Sequence, residues 1–184
     1  MSIELCQKDL PNFPDEIIRD WLATYIETEG WPPCEDHNVV PENRWAYLLG
    51  KRPVRYWQSI IWEKKELQTS ELKFTPESES TLAHLIEAYV YGKENIYSIE
   101  LGENGFRRYS SLLMFVAKNT GLPVPPVMIS HEGLLEVVDG NHRITACLAW
   151  LGMQNKPGIS EKLGYTPRPF DGKFIAWVGK HKRA

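Results

Sequence analysis

Residues 124–152, VPPVMISHEGLLEVVDGNHRITACLAWLG, carry the clearest structural pattern in the sequence. Val127 to Ile129 and Leu134 to Val138 are short apolar runs, and the four residues that separate them include Gly133. Two apolar runs separated by a short turn with a glycine are typical of a β-hairpin. We therefore expect these two runs to form adjacent strands of one sheet.

The same stretch continues into an amphipathic helix. Apolar residues recur at i, i+3, i+4 and i+7, namely Ile144, Cys147, Leu148 and Leu151, which is the spacing of one buried helical face. Asn141 to Leu151 is therefore predicted as a helix that ends at Gly152, since glycine is common just after a helix. Cys147 belongs to the buried face, so we interpret it as a core residue and not as a nucleophile.

Strands and helices alternate on both sides of this stretch. Ile96 to Leu101 alternates like a strand, Ser110 to Lys118 has helical spacing, and Phe174 to Val178 is predicted as a last strand. From residue 96 onward the sequence therefore predicts an α/β (α+β) fold, with a small mixed sheet and packed helices.

The N-terminal portion is predicted to be helical. Helical spacing begins after Pro14, and short helices are expected at Glu42 to Leu49 and at Val54 to Glu66. Thr75 and Pro76 open another helix, the first as a capping hydroxyl and the second as a residue with a preset φ. The polar stretch before them places the expected boundary between a helical, tryptophan-rich N-terminal extension (1–74) and a second domain (75–184).

Four tryptophans lie in the proline-punctuated part of the extension, at Trp31, Trp45, Trp57 and Trp62. Aromatic side chains can stack on nucleic-acid bases or form a surface for a protein partner. At helical spacing, however, tryptophans usually pack in a core, and we expect that role here.

The composition is that of a folded, soluble protein with one compact domain and an added segment. Hydrophobic residues make up 42% and charged residues 24% of the 184 residues, which is near the globular average. No apolar run approaches the ~20 residues of a membrane span, and the N-terminus lacks the apolar core of a signal peptide. We therefore expect a cytoplasmic location.

The three cysteines, Cys6, Cys34 and Cys147, form neither a disulfide framework nor a CxxC pair in the sequence. Cys34 and His37 have the spacing of metal ligands, but a zinc site needs a second pair nearby. We interpret this segment as a loop and assign no structural zinc.

The charge balance argues against a broad, non-specific surface for nucleic acid. Twenty-four acidic and 21 basic residues give a formal net charge of −3, so contact with DNA would need local basic patches. Two patches are present: Arg107 with Arg108, and the run of Lys180, Lys182 and Arg183. A terminal basic run is also typical of a solvated tail, which makes it the less informative of the two.

Five polar or small residues follow the second predicted strand without interruption: Asp139, Gly140, Asn141, His142 and Arg143. The first amides of a helix lack internal partners and carry the positive end of its dipole, so this turn is suited to a phosphate. Gly140 would let the backbone approach the ligand, Arg143 would add a bidentate charge, and His142 could donate a hydrogen bond or move a proton. Asp139 could bind a ribose hydroxyl, Mg²⁺ or water.

Each of these residues also has an ordinary structural role open to it. Asp139 or Asn141 could simply cap the helix, and Arg143 could pair with a surface carboxylate. The combination of all five at a strand-to-helix turn, where packing does not require them, favours a phosphate site.

With the strand pair before it, this turn resembles the motif of the ParB/sulfiredoxin superfamily. In that family a two-strand unit leads to a D/G-G-x-H/R-R-x-x-A motif at a helix N-terminus that binds nucleotide phosphates, and Asp139 to Ala146 is similar to it. The resemblance covers roughly Ile96 to Val178 and does not extend to the residues before Thr75. It implies that Gly140, Asn141, His142 and Arg143 bind phosphate.

Differences from the family motif narrow the implied activity. Sulfiredoxins have a cysteine where this chain has Asn141, so reduction of a sulfinic acid is not expected. Chromosome-partitioning members have a G-E-R-R turn followed by a helix-turn-helix domain, whereas a short segment follows Gly152 here, so a full partitioning protein is not expected. Relatives with an Asp-Gly-x-His-Arg turn include free-serine kinases, nucleases and plasmid-borne fertility-inhibition proteins. The size and the helical N-terminal portion are most similar to the last group.

The resemblance therefore implies an ATP hydrolase with metal-dependent DNase activity that inhibits conjugative DNA transfer. In this hypothesis Asp139 holds Mg²⁺ or Mn²⁺ and activates water, while His142 and Arg143 neutralise phosphate charge. Family kinases keep an acid upstream, so Glu100, with Glu103 nearby, is a further catalytic candidate, although acids are common at strand ends. DNA would contact the two basic patches.

A different class of function is also compatible with the sequence. The chain could be a nucleotide-sensing switch, an inhibitor that binds a protein partner through the N-terminal extension, or a small-molecule kinase of the same superfamily. Multiple-turnover release of phosphate would separate an enzyme from a switch, because a switch only needs to bind.

Overall fold

A computed structural model describes the backbone of residues 2–182 and the side chains of residues 3–95 and 102–182. The helices are α1 (Ser2–Asp9), α2 (Asp15–Ile17), α3 (Ala23–Glu29), α4 (Arg44–Leu48), α5 (Val54–Gln58), α6 (Pro76–Tyr89), α7 (Ile96–Asn119), α8 (Asn141–Met153) and α9 (Ile159–Leu163). A π-helical turn, Ile18–Leu22, joins α2 to α3, and a 3₁₀ turn occupies Thr69–Glu71. The strands are β1 (Ile60–Gln68), β2 (Val127–His131), β3 (Leu134–Asp139) and β4 (Lys173–His181). The mixed α/β fold class predicted from the sequence is confirmed.

The four strands form one sheet in the order β1-β4-β2-β3. β2 and β3 pair antiparallel through the turn Glu132-Gly133, where φ is 50° and 89°, so the predicted hairpin is confirmed. β4 contains the predicted strand Phe174 to Val178, and it is antiparallel to β1 and parallel to β2. The last strand in sequence therefore lies inside the sheet.

The predicted strand at Ile96 to Leu101 is wrong. These residues begin α7, which is bent at Gly102 with φ 44° and ψ −147°. Ile96 and Ile99 are three residues apart, a spacing that suits a helix as well as a short strand, and short apolar runs do not distinguish the two. α7 is 24 residues long, but neither it nor any other helix in the described part of the chain combines the length and apolarity of a membrane span.

The predicted helix Val54 to Glu66 is correct only for its first part. α5 ends at Gln58, and β1 begins at Ile60 and pairs along its whole length with β4. Isoleucine and tryptophan favour strands, and pairing with β4 decides the conformation of the alternating charged residues that follow. Part of the expected helical extension is therefore a strand of the common sheet.

The side chains of a strand alternate between the two faces of the sheet, so both faces have apolar residues to bury. Helices cover both faces. On one face, α6, α7 and α8 pack on residues such as Met128 and Ala176. On the other face, the N-terminal helices pack on Val127 and Ile129. The buried tryptophans of this second layer are Trp21, Trp31, Trp45 and Trp57. The prediction that Trp31, Trp45 and Trp57 serve packing is thus confirmed.

The hairpin places two groups of polar residues at opposite ends of the sheet. Asp139 pairs with Val127 at the start of β2, whereas Leu134 pairs with His131 at its end. We call the first the motif end (Val127, Asp139 and the start of α8) and the second the hairpin end (His131, Leu134 and His181). At about 3.3 Å per residue, the two ends of β2 lie roughly 13 Å apart.

Candidate functional site

The motif end is built around a tight strand-to-helix turn. β3 ends at Asp139, Gly140 has φ 105° and ψ 18°, and α8 starts at Asn141. A Cβ on Gly140 would lie 2.7 Å from the Pro126 Cβ and 3.0 Å from the Arg143 Nε. Glycine is therefore required by the left-handed backbone and by Pro126, whereas the sequence analysis attributed it to the approach of a ligand.

No side chain among the described residues caps the N-terminus of α8. The N-cap residue is Gly140, so the capping role considered for Asp139 and Asn141 is not found. The Asp139 carboxylate instead bonds to Arg143. The first amides of this 13-residue helix thus keep the hydrogen-bonding capacity and partial positive charge of an open helix N-terminus.

Arg143 has a structural role in this turn. Its guanidinium pairs with Asp139 and donates to the carbonyl oxygens of Val124 and Pro125 at 3.3 and 3.4 Å. Its side chain is only 13% exposed. The pairing with a carboxylate that the sequence left open is therefore observed, and Arg143 holds the chain before β2 against the start of α8.

His142 is held in its neutral form. Burial is the main cause that lowers the pKa of His142 to about 4, and the charges of Arg108 and Arg143 lower it further. His142 Nε2 lies 3.2 Å from the Tyr89 hydroxyl oxygen. Burial raises the pKa of Tyr89, so its hydroxyl stays protonated. A phenol hydroxyl can donate to Nε2 or accept from Nε2–H, so this contact fits either neutral tautomer of His142.

α7 brings a cation and an aromatic cluster beside this imidazole. Tyr89 stacks on Tyr109 at 4.8 Å and meets Phe106 edge-on at 4.9 Å between ring centroids. Arg108 is exposed, its charge acts on His142, and no carboxylate pairs with it among the described side chains. From the sequence, Arg108 was linked to DNA alone. Tyr89 was not predicted as a site residue, because its position in the apolar stripe of α6 indicated only a core residue.

Two buried oxygens near the start of α8, Asn141 Oδ1 and Thr145 Oγ1, have no hydrogen-bond partner among the described residues. Thr145 is fully buried, and Asn141 directly follows the turn. Buried polar atoms are normally satisfied by protein or by ordered solvent. Both oxygens therefore have hydrogen-bonding capacity that the described residues do not use.

The upstream acids are not brought into the site by the described residues. Glu100 lies in α7, not at the end of a strand, and its side chain is outside the described residues. Glu103 is exposed after the bend at Gly102. The catalytic role considered for Glu100 stays a prediction.

The two basic patches lie at different ends of the sheet. Arg107 and Arg108 are exposed on α7, a helix that packs against α8. Lys180 is in β4 and Lys182 directly follows it, so this segment is a strand at the hairpin end and not a solvated tail. Arg183 lies outside the described residues. Of the two patches, the arginine pair is the one near the motif.

A metal at the motif end would have few protein ligands. Among the described residues, no group of three or more His, Cys, Asp or Glu side chains is arranged to hold a metal ion. Asp139 offers a carboxylate, but Arg143 engages it. Mg²⁺ is often bound by one or two carboxylates together with substrate phosphates, so a metal here would depend on the substrate for most of its ligands.

Together, the fold and the turn define a mixed α/β protein with an open helix N-terminus whose residue His142 feels the charges of Arg108 and Arg143. Comparison of the chain with protein-family models, with curated proteins and with solved structures found no match. The resemblance to the ParB/sulfiredoxin superfamily therefore rests on the residues of the motif and its strand pair, and the activities that it implies are proposals.

Proposed function

We propose that the motif end binds the phosphate groups of a nucleotide, with ATP as the expected one, and that the protein is a nucleotide phosphohydrolase. The observation that carries the proposal is the open N-terminus of α8. It has no side-chain cap, and its residue His142 feels the charge of Arg108, whose guanidinium pairs with no carboxylate among the described side chains. Helix N-termini with flanking cations bind phosphates through backbone amides and charge.

Three groups of this chain would act on the phosphate. The amides of Asn141 to Arg143 would orient its oxygens, and Arg108 would neutralise the negative charge that develops during transfer. In the tautomer that has its proton on Nδ1, the neutral ring of His142 would donate a hydrogen bond to the phosphate without adding a charge. Arg143 is already bonded to Asp139 and to two carbonyl oxygens, so its main contribution would be to hold the turn in shape.

A divalent ion that arrives with the nucleotide would supply Lewis-acid neutralisation of phosphate charge. The described residues suit such an ion only in part, because Arg143 engages the Asp139 carboxylate. Asp139 would join the coordination of Mg²⁺ or Mn²⁺ only after its bond to Arg143 opens.

A nuclease is the second candidate, and the observation in its favour is the exposed pair Arg107 and Arg108 on α7. A DNA backbone that follows these arginines would bring its phosphates to the same turn. Lys180 and Lys182 would not extend this surface, because they lie at the hairpin end. A role in inhibiting conjugative transfer would follow from cleavage of DNA at this site.

Two neighbouring arginines provide a matched test. In calorimetric titrations with ATP and Mg²⁺, Arg108→Ala should weaken binding by about tenfold, the loss expected for one charge-assisted hydrogen bond. Arg107→Ala should bind normally, because Arg107 is equally exposed but does not act on His142. Binding should also raise the pKa of His142 in NMR titrations, because the anion offsets the two arginine charges.

Release of inorganic phosphate then separates an enzyme from a nucleotide-sensing switch. Asp139→Asn should retain ATP binding better than turnover, because the amide removes a competing anion from Arg143 but cannot bind a metal as a carboxylate does. ATP that binds without any shift of the His142 signals would place the nucleotide elsewhere. Binding without multiple turnovers in the wild type would contradict hydrolysis and leave the switch.

A further inference from the structure

A second polar cluster lies at the hairpin end, at the carboxyl ends of the parallel strands β2 and β4. The register pairs residues 127, 128 and 129 with residues 177, 178 and 179, so His131 and His181 are neighbours on one face. Their ring centroids are 6.4 Å apart. Both rings line an open cleft of about 690 Å³, together with Lys180 and the hairpin residues Ser130 to Leu134. Ligands of α/β sheets commonly bind at the carboxyl ends of parallel strands.

Glu136 determines which nitrogen of His131 carries the proton. Glu136 accepts two bonds of 2.6 Å from the Arg52 guanidinium, as an ionised carboxylate does. Such a carboxylate can only accept hydrogen bonds. His131 Nε2 lies 3.0 Å from Glu136 Oε2 and must be the donor. In the neutral ring, the lone pair is then on Nδ1.

Ser59 determines the tautomer of His181 in a similar way. The Ser59 hydroxyl oxygen lies 2.7 Å from the Tyr56 carbonyl oxygen and 2.7 Å from His181 Nδ1. A carbonyl cannot donate, so the single hydroxyl proton goes to Tyr56 and His181 Nδ1–H donates to Ser59. In the neutral ring, the lone pair is then on Nε2.

We propose that His131 Nδ1 and His181 Nε2 are two ligands of a site for a transition-metal dication, Zn²⁺, Ni²⁺ or Cu²⁺. Water or a small molecule in the cleft would fill the remaining positions. Imidazole suits these ions, and histidine ligands usually have a carboxylate or another outer partner that fixes their tautomer. With metal–nitrogen bonds of about 2.0–2.1 Å, two imidazoles on one ion have centroids roughly 5–6 Å apart. The observed separation of 6.4 Å is longer than this range, so the two rings would move closer together when they share one ion.

The charges around the cleft are balanced enough to admit a dication. Arg52 is a nearby cation, but both of its guanidinium bonds, each 2.6 Å long, go to Glu136. Lys180 and Glu132 are both exposed at the rim and have opposite charges. The site therefore requires no buried, unpaired charge before the metal binds.

The test titrates the untagged full-length protein with NiCl₂ or ZnCl₂ at pH 7.5. We expect one equivalent of metal to bind in calorimetry, and paramagnetic Ni²⁺ to broaden the NMR signals of His131 and His181 first among the five histidines. His131→Gln and His181→Gln should each weaken binding about tenfold or more. Ser59→Ala keeps both ligands and removes only the outer partner of His181, so it should weaken binding less.

His84→Gln, an exposed histidine of α6, and the double variant of Cys34→Ser and His37→Gln are the controls, and both should bind as the wild type does. Absence of binding at millimolar metal would overturn the proposal, as would binding that is unchanged in both ligand variants. Loss in only one of them would overturn the two-ligand arrangement. The broadening measured on the wild type decides the matter if a variant fails to fold.

Discussion

The two ends of the sheet contain the same kind of ion pair in different settings. At the motif end, Asp139 and Arg143 are four residues apart and shape one turn. At the hairpin end, Glu136 and Arg52 are 84 residues apart and join the N-terminal helical layer to β3. An arginine–carboxylate pair beside a histidine is thus structural at both ends. The nearby hydrogen-bond donors and acceptors that have no partner among the described residues are more informative about function.

Those unpartnered groups differ in sign. At the motif end, the groups without a partner among the described residues include the first amides of α8 and the guanidinium of Arg108, which suit an anion. At the hairpin end they are the lone pairs of His131 and His181, which suit a cation. One strand, β3, therefore separates two surfaces with opposite ligand preferences.

The largest expected difference between the ends concerns two glycines with positive φ. Gly140→Ala should lower the free energy of unfolding by roughly 3–5 kcal/mol, because backbone strain and overlap with Pro126 add together. Gly133→Ala in the hairpin should lower it by about 1–2 kcal/mol, since nothing lies within 4 Å of its Cβ position. Urea titrations of both variants measure this difference, and equal losses would show that Pro126 yields easily.

The second largest difference concerns the contribution of the two ion pairs to the free energy of unfolding. Glu136→Gln should cost roughly 1.5–3 kcal/mol, because both bonds of Arg52 go to this carboxylate. Asp139→Asn should cost about 1 kcal/mol, because Arg143 keeps its two carbonyl partners. Since the folded pKa of Glu136 is lowered, its contribution is complete above about pH 4.3 and is lost as the pH falls through the folded value. The free energy of unfolding of Glu136→Gln should not show this loss below pH 4.3, whereas the control Glu132→Gln should show it as the wild type does.

His142 should make the free energy of unfolding depend on pH in a higher range than Glu136 does. Its pKa of about 4 in the folded protein lies below the value of about 6.5 for an unfolded chain, so the unfolded state takes up the proton first. Stability should therefore fall as the pH is lowered from about 6.5 to 4, by at most about 1.4 kcal/mol per pH unit. The difference between the urea unfolding midpoints at pH 7 and pH 5 should be smaller in His142→Gln than in the wild type. The same difference in both proteins would mean that another group titrates.

The smallest expected effects are those of the exposed cations. Arg108→Ala and Lys180→Ala should each change the free energy of unfolding by no more than about 0.5 kcal/mol, as is usual for surface sites. Titration with ATP should then distinguish them, because only Arg108 lies at the motif end. Equal weakening by both substitutions would indicate non-specific attraction, which added salt would also weaken.

The spacing of apolar, glycine and polar residues was enough to predict the parts of this structure that depend on residues close together in the sequence. The hairpin of β2 and β3, the turn at Gly140 and the buried face of α8 all follow from spacing within one stretch of the chain. The same information did not give the conformation of Ile96 to Leu101, because a short apolar run suits both a strand and a helix.

Contacts between distant segments could not be predicted in this way. β1 is a strand because β4 pairs with it. The charged residues of β1 do not predict a partner strand more than one hundred residues away in the sequence. Arg52 and Glu136 meet for the same reason. At the candidate site, the residues of the turn were predicted, whereas Tyr89 and the closeness of Arg108 depend on how α6 and α7 pack against α8.

The strand order also has a consequence for biosynthesis. β4 is the last strand to be made, yet it separates β1 from the hairpin. Until residues 173–181 leave the ribosome, β1 has no neighbour and β2 presents an open edge, and both are typical sites of wrong pairing. The nascent chain must therefore keep β1 unpaired until β4 has emerged. In chains arrested before Lys173, we expect β1 to lack protection against proteases.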